Sequence, residues 1–86
     1  MNLLEFKLLL AESEFTPKKV FELLAKDKNW IVHVRLAKNP NVPKKILKMF
    51  VEDKDWLICS FIAQNPNAPK KIIDKIAKRY NIIHKV

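Results

Sequence analysis

A chain of 86 residues can build one small domain, near the lower limit for a self-supporting core, and its 49% hydrophobic content is enough to fill that core. The single cysteine, Cys59, excludes an internal disulfide and a cysteine-only metal site, and the absence of glycine disfavours a phosphate-cradling loop. No apolar run approaches the roughly 18 residues a membrane span needs, and the formal net charge of +8 directs attention to acidic partners.

In chain order, residues 3–13 come first, as an apolar helix that carries Glu5, Lys7 and Glu12. The segment has no basic leader, so it reads as part of the fold and not as a signal peptide, and a cytoplasmic protein is expected. A segment of a second kind, A, runs from Pro17 to about Lys26. Proline suits a helix start, where the N–H has no partner anyway, and Thr16 is expected to be the N-cap. Val20, Phe21, Leu24 and Ala25 form its apolar stripe at helical spacing. Segment B follows from Trp30 to Lys38, with Asn29 as its N-cap, and Asn39-Pro40 stops it because proline pushes its predecessor out of the helical region.

The same order then returns. Pro17-Lys18-Lys19-Val20 recurs as Pro43-Lys44-Lys45-Ile46 and again as Pro69-Lys70-Lys71-Ile72, and Asn39-Pro40-Asn41 recurs as Asn65-Pro66-Asn67, every shift being 26 residues. The second A segment spans Pro43 to about Glu52, the second B segment Trp56 to Gln64 with Asp55 as N-cap, and the third A segment Pro69 to about Arg79. Val42 and Ala68 cannot cap, so Asn41 and Asn67 are expected to do so one residue earlier. The second B segment is apolar nearly all round, as in a helix packed on several sides. A third B segment opens at Asn81 and is cut short at Val86.

Shifting the N-terminus by the same interval aligns Leu4 with Trp30, Phe6 with Val32, Leu10 with Leu36 and Ala11 with Ala37, so residues 3–13 read as a degenerate B helix and residues 1–15 as the cap of the array. The units are then 16–41, 42–67 and a truncated 68–86. A tandem period of this size predicts an all-α solenoid of about three two-helix repeats, in which each unit buries its apolar face only against its neighbours.

The pattern carried by Pro17, Val20, Leu24, Ala25, Asp27, Trp30, Leu36, Ala37, Asn39 and Pro40, and by their partners one unit on, resembles the leucine-rich repeat variant family. The resemblance covers residues 16–80. It implies a right-handed superhelix of alternating longer and shorter helices, one of the two sometimes 3₁₀. His33 and Cys59 stand where that family often has an arginine, so no role tied to that arginine carries over. Nor is an iron–sulfur module implied, since this chain lacks the cysteine-rich segment of some relatives. The family is a scaffold without a common activity.

The candidate binding residues are the lysine pairs. Residues 1–15 hold one Lys and three Glu, whereas residues 16–86 hold 16 Lys+Arg and 6 Asp+Glu, so the basic charge belongs to the repeats. Stacking would align Lys18/Lys19, Lys44/Lys45 and Lys70/Lys71 into a ladder with a repeat of roughly 10 Å. Cations at helix N-termini oppose the macrodipole by about 0.3–1 kcal/mol each. The repeated unfavourable placement suggests recognition of phosphates or of an acidic surface. The competing explanation is duplication that copied solubilising lysines.

Trp30 and Trp56 could serve as stacking platforms for bases, but their place after the caps predicts packing between units. Tyr80, among Lys78, Arg79 and Lys85, could be an exposed contact, although terminal packing is expected. His33, Cys59 and His84 show no metal-ligand spacing, Asp27 and Asp53 read as turn residues, and no catalytic constellation emerges.

The expected function is therefore that of a non-enzymatic binding or scaffold module, without cofactor or metal, whose basic face accepts an acidic protein partner. The alternative is sequence-independent nucleic-acid binding. The sequence pI of about 9.8 and the regular ladder favour it, and the presence of only two arginines, Arg35 and Arg79, counts against it. The apolar first helix (Leu3, Leu4, Phe6, Leu8, Leu9, Leu10) and the short C-terminal segment predict a weak homodimer through one end of the solenoid.

Overall fold

The computed structural model describes residues 1–52 and 55–80. They form six α-helices: α1 Leu3–Glu12, α2 Lys18–Ala25, α3 Trp30–Lys38, α4 Lys44–Glu52, α5 Trp56–Gln64 and α6 Lys70–Tyr80. No strand occurs among the described residues, so the fold is all-helical, and both kinds of segment are α-helices. The third B segment expected from Asn81 lies outside the described residues. The two B segments have the bounds read from sequence, and the A helices begin one residue later than expected.

Local chemistry explains these boundaries. α1 opens with a capping box: Asn2 Oδ1 accepts from the Glu5 amide at 2.8 Å, and Glu5 Oε1 accepts from the Asn2 amide at 3.0 Å. Asn29 caps α3 by accepting from the Ile31 amide at 3.0 Å, and Asp55 caps α5 by accepting from Leu57 at 2.9 Å.

The A helices start differently from the expectation. Thr16 does not cap α2; it is buried, and its hydroxyl donates to the Leu10 carbonyl at 2.5 Å, tying the first loop to α1. Pro17 is the N-cap instead, extended at φ −64° and ψ 150°, with no side-chain cap bond. Proline carbonyls also take the first turn of the later A helices, from Ile46 to Pro43 at 2.9 Å and from Ile72 to Pro69 at 3.0 Å. Asn41 and Asn67 therefore lie upstream of the caps. The Asn67 side chain donates from Nδ2 to the Val42 carbonyl at 2.8 Å, a contact between units.

The odd-numbered helices pack in sequence, α1 on α3 and α3 on α5, more intimately than the even-numbered helices pack on one another. Each of the even-numbered helices lies against α3 or α5. Between the two rows runs a single apolar cluster that includes Phe21, Val32, Leu36, Ile46, Leu47, Phe50, Cys59, Ile62 and Ile76. Burying a side chain of this size stabilises by about 1.5–3 kcal/mol. The molecule measures 47 × 20 × 17 Å along its principal axes.

Asparagines stitch the close-packed row. Asn39 is buried, and its amide donates to Ala11 O at 2.8 Å and Ser13 O at 3.0 Å. Asn65 is buried in the same way, donating to Ala37 O at 2.7 Å and Asn39 O at 3.0 Å. Each asparagine Oδ1 accepts from the amide two residues on, Asn41 or Asn67, at 2.8 Å. These bonds satisfy carbonyls at the C-terminal end of the preceding odd-numbered helix, which would otherwise be orphaned in a buried place.

The tryptophans correct the expectation of burial. Trp30 and Trp56 do occupy equivalent positions, each the first residue of its helix, but they are 56% and 64% exposed. Helical side chains tilt toward the N-terminus, so a first-turn residue overhangs the end of its row. The buried positions of α3 and α5 are Val32, Leu36, Ala37, Ile58, Cys59 and Ile62. Helix α5 is accordingly less enclosed than its composition suggests, with Leu57, Phe61 and Ala63 only partly buried.

Candidate functional site

The six lysines singled out from sequence are all exposed at the starts of α2, α4 and α6. Their surroundings differ. Lys44, Lys45 and Lys71 come together in a groove of about 260 Å³ between α4 and α6, joined there by Lys48 and Lys75. Pro69 and the nearly buried Val51 and Ile72 complete its lining. Lys18, Lys19 and Lys70 do not line this groove. Lys70 pairs with Asp74 at 3.1 Å, four residues on along α6.

Lys48 and Lys75 escaped the sequence reading, which followed the repeated Pro-Lys-Lys alone. A signal was available: Lys48 follows Lys44, and Lys75 follows Lys71, by four residues, which puts each pair on one helix face.

Charge in the groove is unevenly compensated. Lys75 Nζ lies 3.1 Å from Glu52 Oε2, bridging α6 and α4. The hydrogen bond and the charge of Lys75, helped by Arg79 and Lys48, hold the Glu52 carboxyl below its ordinary range. Lys44 Nζ donates to Asn67 Oδ1 at 3.0 Å, and Lys45 approaches Glu22 of α2 at 3.9 Å. Among the described residues no carboxylate forms an ion pair with Lys44, Lys48 or Lys71. The corresponding gap between α2 and α4 is smaller, about 130 Å³, and of mixed sign, with Glu22 beside Lys26 and Lys45 over Ile46 and Met49.

Other candidates have structural surroundings. The His33 ring packs on Phe50 with centroids 5.1 Å apart, and its buried Nε2 has no hydrogen-bond partner among the described residues. Cys59 is a buried free thiol. His84 lies outside the described residues, as does Asp53, and among the described residues no group of three or more His, Cys, Asp or Glu side chains could hold a metal ion. Asp27 accepts from Lys7 Nζ at 2.5 Å and from the Asn29 amide at 2.8 Å, which lowers its pKa and clips α1 to the turn before α3. Tyr80 is partly buried and, with Trp56 and Ile76, lines a groove of about 360 Å³ beside α5. No helix among the described residues is long and apolar enough to cross a membrane.

Comparison of the chain with protein families, with curated proteins and with solved structures gives no match.

Proposed function

We propose that this chain is a non-enzymatic helical-repeat module, a right-handed α-solenoid of about three 26-residue units of the leucine-rich repeat variant kind, that binds an acidic protein surface through its even-numbered helices. The solenoid reading is supported by the recurrence of the asparagine bonds at the sequence period: Asn39 and Asn65 each reach residues 28 and 26 positions back. The closer packing of the odd-numbered helices favours an array curved toward them, with the even-numbered row on the outer, more open side. The single observation that carries the functional reading is the convergence of five lysines in the α4/α6 groove, three of them (Lys44, Lys48 and Lys71) without an ion-pair partner among the described residues. Like charges gathered in a concavity raise the local potential and attract an oppositely charged partner.

Nucleic-acid binding is the second reading, and the exposure of Trp30 and Trp56 is what favours it. Two exposed indoles at equivalent positions of consecutive units are suited to stacking on bases. Titration of the protein with polyglutamate and with duplex DNA, at two salt concentrations, separates the readings. The acidic-partner reading expects polyglutamate to bind and triple replacement Lys18→Glu, Lys44→Glu, Lys70→Glu to weaken that binding. DNA binding with a log–log salt slope near roughly −0.9 per neutralised phosphate, and no response to polyglutamate, overturns it.

Self-association belongs to the same proposal. Leu3, Phe6 and Leu9 leave about half or more of their surface exposed on α1, at 66%, 50% and 52%. A weak two-fold dimer through that end covers them, and the net charge makes it stronger at high salt. Sedimentation that shows a monomer at all concentrations and salts removes the dimer from the proposal.

A further inference from the structure

We infer that the α4/α6 groove takes a short acidic segment that carries a single apolar anchor residue. This rests on the acidic-partner reading and names the ligand class of that site. Charge alone would not require an anchor, since an acidic surface can be attracted to lysines on any open face. Here the lysine ammonium groups instead rim an apolar floor made by their own aliphatic stems and by Pro69 at the mouth of α6, with the nearly buried Val51 and Ile72 beneath it. Val51 and Ile72 belong to the core cluster, so the backing beneath this floor is fixed before a ligand arrives.

The partner must supply two things. Carboxylates are needed opposite Lys48 and Lys71, which lack an ion-pair partner among the described residues. One aliphatic side chain is needed to cover the apolar surface. A phosphate backbone offers negative charge for those lysines but no aliphatic side chain. The gap between α2 and α4 is a poor equivalent, because Glu22 already pairs there with Lys45 and repels a carboxylate. Binding is therefore assigned to one inter-unit groove and not spread evenly along the ladder.

The test uses the full chain and a fluorescent acidic nonapeptide, all Glu and Asp except for a central leucine, against the same peptide with serine at the centre. Exclusion of a leucine side chain from water makes the leucine peptide bind at least about tenfold more tightly. The double variant Lys48→Glu/Lys71→Glu should lose that binding. A charge-matched double variant outside the groove, Lys28→Glu/Lys38→Glu, should retain it within about threefold, apart from the general effect of net charge. Circular dichroism of both variants establishes that the exposed substitutions leave the helices intact. Equal affinity for the two peptides, or equal loss in the two double variants, overturns the groove while leaving a diffuse acidic-partner site standing. Failure of both peptides and of polyglutamate to bind removes the acidic-partner reading itself, and the groove with it.

Discussion

Asn65 donates from Nδ2 to the backbone carbonyl of Asn39 at 3.0 Å, and Asn39 donates from its own Nδ2 to Ser13 with the same length. One residue type thus links each odd-numbered helix to the one before it, using the side chain that also ends its own helix. Both amide hydrogens and the amide oxygen of Asn65 are engaged, with Ala37, Asn39 and the Asn67 amide. The site demands a donor and an acceptor in fixed positions, which only an amide of this length supplies.

Replacing Asn65 by alanine strands buried carbonyls and is expected to cost about 2–4 kcal/mol. Asn65→Asp should cost more near neutral pH, because a carboxylate oxygen then faces the two carbonyl oxygens, and part of that loss should be recovered in acid as the carboxyl protonates. Urea denaturation of the two variants at neutral and acidic pH provides the check. Equal stability of wild type and Asn65→Ala would mean that these bonds do not hold the row together.

The exposed indoles carry an opposite expectation. Trp30→Ala and Trp56→Ala should each cost about 1 kcal/mol or less, within the range of surface substitutions, whereas Leu36→Ala should cost about 2–5 kcal/mol as a buried residue. Denaturation midpoints measure both, and native tryptophan emission should lie near that of solvent-exposed indole.

Acid should loosen the attachment of α1. The Asp27 carboxyl is held below its ordinary value of 3.8, first by its hydrogen bond to Lys7 and then by the one from the Asn29 amide. A group whose pKa is lower in the folded state contributes stability that is fully present above the unfolded value and is lost as pH falls through the folded value. The pair should therefore stabilise at pH 5 and above and fade below about pH 4. Its contribution through Lys7 is modest, about 1 kcal/mol or less for a partly exposed ion pair. Lys7→Met should flatten that part of the stability–pH curve. A curve unchanged by the substitution would show that Lys7 does not set it.

Helix order, the two B helices and their caps were legible in the sequence because they depend on nearby residues: Asn29 and Asp55 at the starts, Asn39-Pro40 and Asn65-Pro66 at the ends. The second role of Asn39 and Asn65 was not, because their acceptors lie in another helix and periodic sequence shows that a residue recurs without showing what it touches. Thr16 was misread for a related reason. Its type suits an N-cap, but the fixed dihedral of Pro17 already shapes the helix start, and the Leu10 carbonyl claims the hydroxyl. The place of the tryptophans directly after the caps invited an assignment to packing between units, while the tilt of first-turn side chains carries Trp30 and Trp56 past the packed row. At the candidate site the lysine pairs were visible, but Lys48 and Lys75 required helix-face geometry, and the neutralising role of Glu22 required knowing which gap it faces.

The proposed solenoid makes residues 42–67 a self-contained repeat, stacked on its neighbours through recurrent contacts of the odd-numbered row. Inserting a second copy of that segment between Asn67 and Ala68 tests this most directly, with thermal unfolding followed by circular dichroism. A stack of equivalent units accepts the insert, because each added unit brings its own core and one more interface. The expected product is a cooperative helical protein with a higher Tm than the parent chain. A chain that loses cooperative unfolding, or melts below the parent, would contradict it.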